Sequence, residues 1–226
     1  TGNVSLPVSP TLSGIQSTDN VTLTGTPTFT FASANVGTAI AITGSGYVLG
    51  GTDAANYVLT QPTASANITT RTVTIGGTLT VSSTRVYDGT VAATVSNAAT
   101  LTLSNVANAD SGNAAKLAIA TVTAQYATKA VGTGKTVSVT AATLSGTSAA
   151  NYTVTVSGAP TATAAITAKA LNVTATGTSR AYNQLTTATV TLADDRVAGD
   201  VLTTAYTSAT FADKNVRSEE HTSELQ

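Results

Sequence analysis

The chain has 226 residues, with 10 Lys and Arg against 11 Asp and Glu and a formal net charge of -1. Charged residues make up 9% and aromatics 4%, and Cys, Met and Trp are absent. This composition excludes disulfide staples, thiolate chemistry and the clustered basic face that nucleic-acid binding needs, and no apolar run approaches a membrane span.

Abundant Thr and Val suit a pleated, half-buried surface, so the expectation is an all-β chain with thin cores of Val, Leu, Ile and a few Tyr. The length accommodates two compact modules and part of a third. Thr1 opens in mid-pattern with no signal peptide before it, so the N-terminus is read as truncated.

Taken in chain order, the same motifs return. Phe31-Ala32 with Val36-Gly37-Thr38 recurs as Tyr126-Ala127 with Val131-Gly132-Thr133, and Phe211-Ala212 through Val216 is a third occurrence. Ala54-Ala55-Asn56-Tyr57 recurs 95 residues later as Ala149-Ala150-Asn151-Tyr152. Ala66 to Arg71 matches Ala165 to Lys169, and Val86-Tyr87-Asp88-Gly89 returns, weakened, as Ala181-Tyr182-Asn183-Gln184.

Four motifs in one order define a repeat of about 95 residues. The expected organisation is an incomplete first repeat at 1–71, a complete second at 72–169 and a truncated third at 170–216. Tyr87 to Tyr126 spans 39 residues and Tyr182 to Phe211 only 29, so the second copy is about ten residues longer there, in the loop around Ala107 to Ala115.

Within each copy the apolar period is two, as in Leu117 to Thr123, Thr136 to Thr140 and Tyr152 to Val156, and the runs are bounded by Gly, Asn, Asp or Ser. That is the strand signature, and its spacing points to tandem β-sandwich or β-grasp-like modules, with a continuous β-solenoid as the alternative. Asn105 to Leu117 is Ala-rich enough for a short helix.

The last ten residues, Arg217 to Gln226, hold every Glu (Glu219, Glu220, Glu224) and the single His, His221. The decapeptide resembles the translation of a common sequencing-library adapter beginning AGATCGGAAGAGC. Residues 217–226 are therefore expected to be an artefact, and without them nine basic residues face eight acidic ones.

Catalysis needs a titratable group near working pH or a nucleophile beside a base, and before Arg217 there is no His, Cys or Glu. No catalytic, cofactor-binding or metal-binding residue is assigned, and no enzyme activity is expected. Tyr87-Asp88-Gly89-Thr90 reads as a turn, with a sugar-stacking role for Tyr87 weighed against packing. The third copy keeps Tyr182 but has no glycine after Asn183, so its turn should differ.

Asn56 and Asn151 are placed to fix loops, with Tyr57 and Tyr152 entering equivalent, largely buried positions. Ala130 to Thr136 imitates a phosphate-binding loop, but Lys129 stands where its first glycine belongs and strand-like residues follow. Asp194-Asp195 reads as a solvated turn. Calcium is the ion the loop carboxylates Asp53, Asp88, Asp110 and Asp200 best suit, yet none has the spacing of a calcium loop.

Val86 to Thr90, Ala149 to Tyr152 and Ala165 to Leu171 together resemble the tandem YDG-type repeats of bacterial filamentous-haemagglutinin-like surface adhesins. Thr70 and Ala168 stand where that family usually has Pro, which leaves the junctions less stiff. The resemblance implies a secreted stalk or spacer on the outer surface of a Gram-negative bacterium. The alternative it leaves open is that the repeats themselves bind glycan or host protein. Partners are then expected only through the full-length adhesin, with no nucleic acid, no membrane insertion and no specific oligomer.

Overall fold

The computed structural model describes residues 10–216, so the expectation for Arg217 to Gln226 lies outside the described residues. The strands run in order β1 (Thr22–Phe31), β2 (Gly37–Gly50), β3 (Thr63–Ile68), β4 (Arg71–Gly76), β5 (Thr84–Val86), β6 (Ala92–Ala93) and β7 (Thr102–Ser104). They continue as β8 (Ala118–Tyr126), β9 (Gly132–Ser145), β10 (Tyr152–Thr155), β11 (Thr161–Thr167), β12 (Val173–Gly177) and β13 (Val190–Asp194).

The fold is all-β. Its separate sheets have the orders β1-β2-β3, β10-β4-β7, β5-β11-β9-β8-β6 and β12-β13. The parallel pairs are β4 with β10 and β5 with β11. Separate, mostly antiparallel sheets are the architecture of sandwich-like modules, not of one coiled ladder.

The chain divides into two compact units. One comprises the described residues up to Leu79 with Asn97–Thr123 and Val139–Pro160, and the other Thr80–Ser96, Ala124–Ser138 and the described residues from Thr161 on. Compactness is thus distributed differently from the sequence repeat, because each unit draws on more than one copy.

In the first unit Val73, Ile75, Leu79, Leu101, Leu117, Val139 and Tyr152 are buried. They come mostly from alternate strand positions, where the pleat turns every second side chain inward. The second unit buries Ala124, Tyr126, Val137, Ala164 and Ile166. Outward threonines are paired across strands, as in Thr121 with Thr143 at 2.6 Å and Thr72 with Thr153 at 3.2 Å. Such pairs add modestly to sheet stability, which gives the Thr-rich composition a structural use.

The segment expected to allow a helix, Asn105 to Leu117, forms turns instead. Ala107 O accepts from the amides of Asp110 and Ser111, and Asn113 O from those of Lys116 and Leu117. Asn108, Asp110, Gly112 and Asn113 compete with a helical ladder through their own turn geometries, and this outweighs the alanines.

The Ala-Ala-Asn motifs wind into single 3-10 turns, Ala54–Asn56 and Ala149–Asn151. Each hands the chain to a tyrosine in extended conformation, φ -127° at Tyr57 and φ -129° at Tyr152. The connection from β3 to β4 is Thr69-Thr70, and that from β11 to β12 runs from Ala168 to Asn172.

Hydrogen bonding aligns the first two copies. Asp53 N donates to Asn20 O and Ser148 N to Lys116 O, so Lys116 occupies the place of Asn20 and Leu117 that of Val21. Thr11-Leu12-Ser13 through Asp19 corresponds to Thr102-Leu103-Ser104 through Asp110, an offset of 91. The extra residues of the second copy relative to the first are therefore Ser111 to Ala115. The offset returns to 95 at Phe31 and Tyr126 because β1 carries a bulge between Gly25 and Thr28.

Candidate functional site

The Tyr87-Asp88-Gly89-Thr90 turn is held by three elements. Asp88 Oδ1 accepts from the Thr90 amide and hydroxyl, both at 2.9 Å. Arg85 Nη1 reaches Asp88 Oδ2 at 2.9 Å while its Nη2 donates to Thr90 O at 2.7 Å. The same guanidinium lies 4.9 Å from the centre of the Tyr126 ring, a cation–π contact. Gly89 has φ +79°, and a Cβ there would stand 2.7 Å from Val197 Cγ1, so conformation and packing both demand glycine.

The third copy was expected to turn differently for want of that glycine; it does not. Asn183 Oδ1 accepts from Leu185 N at 3.1 Å, and Gln184 adopts φ +68°. Arg180 Nη2 donates to Leu185 O, and its guanidinium lies 5.1 Å from the Phe211 ring centre. The arginine clamp and the Asx turn together impose the left-handed residue whether or not it is glycine. Sequence reasoning passed over Arg85 and Arg180, although their separation of 95 residues was the available signal.

The repeated tyrosines close on aspartates. Tyr57 accepts from the Gln16 amide at 3.0 Å and donates to Asp19 Oδ2 at 2.6 Å. Tyr152 accepts from the Ala107 amide at 3.1 Å and donates to Asp110 Oδ2 at 2.8 Å. The two positions are equivalent, but Tyr152 is buried and Tyr57 only half-buried. The expectation of equal burial is corrected accordingly. The physical reason is that Tyr152 opens a paired strand, β10, whereas no described strand pairs with the chain after Tyr57.

Tyr87 donates to Asp200 Oδ1 at 2.8 Å. Asp200 ends the Val197-Ala198-Gly199-Asp200 stretch that resembles Val106 to Asp110. The hydrogen bond to its aspartate raises the pKa of Tyr57 and of Tyr87, and burial followed by the Asp110 bond raises that of Tyr152. Each phenol donates to its aspartate carboxylate.

The remaining candidates are not brought together. Asp53 Oδ2 accepts from the Asn20 amide at 2.8 Å. Asp110 Oδ1 accepts from Ser148 Oγ at 3.0 Å. Asp88 and Asp200 are engaged as described above. Among the described residues no three His, Cys, Asp or Glu side chains gather.

Asp194 is paired with Arg196 at 2.5 Å, and Asp195 accepts from the Asn172 amide at 2.8 Å and pairs with Lys169 at 3.1 Å. The two carboxylates thus brace separate contacts; they do not form a free acidic pair. The phosphate-loop imitation opens strand β9, and Lys135 Nζ donates to Thr128 Oγ1 at 2.7 Å. Asn151 does fix a loop, though a distant one: its Oδ1 accepts from Val36 N at 2.8 Å and its Nδ2 donates to Asn35 Oδ1 at 3.0 Å.

These features define an all-β protein of tandem repeats whose motif side chains are engaged in internal hydrogen bonds. The YDG domain family model matches residues 1–65 and 69–163. The chain belongs to the YDG domain family. No curated protein and no solved structure matches it.

Proposed function

We propose that the chain is a structural stalk or spacer from a secreted bacterial surface adhesin of the filamentous-haemagglutinin-like kind, exposed on a Gram-negative cell. The observation that carries this reading is the use made of the repeated tyrosines. Tyr57, Tyr152 and Tyr87 each spend their hydroxyl on an internal aspartate. A module that read glycan would be expected to display an aromatic face at the same place in every copy.

The exposed aromatics do not recur in that way. Tyr182 is 57% and Phe211 40% exposed, while their second-copy counterparts are the half-buried Tyr87 and the buried Tyr126. No helix of the described residues is long and apolar enough to cross a membrane. Within this reading the repeats have no catalytic role and take no cofactor, and adhesion belongs to another part of the full-length protein.

The test is to excise one 95-residue unit from the full-length gene and to array the isolated repeats on host glycans and matrix proteins. Shortened reach with adhesion retained, and no saturable binding by the isolated repeats, is the expected result. Saturable glycan or host-protein binding abolished by Tyr87→Ala would replace the spacer by a binding module.

A further inference from the structure

The second copy opens with β4 and β5 and closes with β10 and β11. The parallel pairs of the fold join its opening strands to its closing ones. β4 lies parallel to β10, with Arg71 opposite Tyr152 and Thr74 opposite Thr155. β5 lies parallel to β11, with Thr84 opposite Ala165 and Val86 opposite Thr167. The chain therefore enters this copy at the N-terminal end of β4 and leaves it at the C-terminal end of β11.

Strand direction decides how such pairs meet tension. The free ends of an antiparallel hairpin emerge side by side, and pulling on them opens one rung at a time. A parallel pair held at the N-terminal end of one strand and the C-terminal end of the other is pulled lengthwise. Its strands must slide past each other, and every rung bears load at once. Tension arriving from the first copy meets β4 at its N-terminal end. Its partner β10 continues through residues 156–160 into β11, which carries the tension out at its C-terminal end. Each parallel pair is thus loaded in shear.

The two strands that receive the load are held on both sides, β4 between β10 and β7, and β11 between β5 and β9. Val73 on β4 and Ile166 on β11 are buried, and a one-residue slide would turn either out of its core. The ladder of the second pair runs past β5 at both ends, with Ala165 N donating to Ser83 O at 2.9 Å and Tyr87 N to Thr167 O at 2.8 Å. Arg85 fastens the short β5 to the turn that follows it, through Asp88 Oδ2 and Thr90 O, and stacks on Tyr126 of β8. The YDG-type turn thereby anchors a three-residue strand against sliding.

We propose that the second copy is a load-bearing link whose parallel pairs, β4 with β10 and β5 with β11, are shear clamps against tension along the chain. The use of such a link rests on the stalk reading above; its resistance follows from strand direction alone.

The experiment is single-molecule pulling on the full chain under reducing conditions. The chain has no Cys, so two introduced thiols fix the points of attachment. Thr70→Cys with Ala168→Cys loads the second copy lengthwise. Thr72→Cys with Thr153→Cys, and Val86→Cys with Thr167→Cys, hold opposed residues of the same two pairs and peel each from one end. All six positions are exposed. Forced unfolding is governed by the barrier to opening, so the lengthwise chain should rupture at about twice the force of either peeled chain, or more. The three chains should share one urea midpoint. Equal rupture forces, or a weaker lengthwise chain, would overturn the proposal. So would a ranking of urea midpoints that matches the ranking of forces, since stability and not direction would then explain it. Saturable glycan binding by the isolated repeats would remove the stalk reading and leave these forces as they are.

Discussion

At the scale of single residues, the tyrosine–aspartate pairs carry most of the specificity. Tyr152 is buried and serves as both acceptor and donor. Tyr152→Ala should destabilise the chain by about 3–5 kcal/mol through loss of the buried ring. Tyr152→Phe should cost about 1–3 kcal/mol, because the Asp110 carboxylate and the Ala107 amide lose a partner. Thermal or urea unfolding of the two variants distinguishes ring from hydroxyl, and an unchanged transition for Tyr152→Ala would refute the core role. Gly89→Ala should be destabilising through its positive φ and the approach to Val197.

The pairs also set the response to pH. The phenols of Tyr57, Tyr87 and Tyr152 have folded pKa values raised above the ordinary 10.0. Their contribution is fully present below that value and is lost as pH rises through the folded pKa values. Asp195 goes the other way: hydrogen bonds from the Asn172 amide and Lys169 lower it to about 2. Its contribution is present above the unfolded carboxylate value and disappears as pH falls towards 2. Absorbance titration of tyrosinate should show a late-titrating class above pH 10 together with unfolding. Titration of all tyrosines as free phenols would refute the pairing.

At the scale of elements, β4 is the strand on which the first unit depends. It is flanked on both sides and buries Val73 at 0% and Ile75 at 2% exposure. Val73→Ala should cost roughly 2–3 kcal/mol, as two buried methyl groups leave a cavity that paired strands cannot close. The equivalent change in β12, Val173→Ala, should be nearly neutral, since Val173 is 51% exposed. Denaturant unfolding of the two variants tests this asymmetry, and equal destabilisation would show that β12 carries a core of its own.

At the scale of the whole chain, stability is uneven. Every residue of β12 is exposed, as are Val201, Tyr206 and Phe211. Few buried contacts mean a low local opening free energy, so the third copy should yield to protease first. Trypsin should cut early after the exposed Arg180 and Lys214 and late after Arg71, which opens a paired strand. Mass spectrometry of the early fragments checks this, and simultaneous cleavage of all sites would contradict it.

Much of this was legible in the residues themselves. Period-two alternation and β-branched composition dictate strands locally, so the all-β class and the positions of β8, β9 and β10 followed from side-chain chemistry alone. The repeat, being a property of order and spacing, was readable in the same way. The sequence could also nominate Tyr57 and Tyr152 as equivalents. What it could not supply was the identity of their partners, because Asp19 and Asp110 lie about 40 residues away and only the folded sheets bring them within hydrogen-bond reach. The turn around Gln184 and the half-burial of Tyr57 were decided in the same manner. An arginine clamp imposes the first, and the second goes with the fact that no strand among the described residues pairs with the chain after Tyr57, so both depend on what the tertiary structure sets beside a residue.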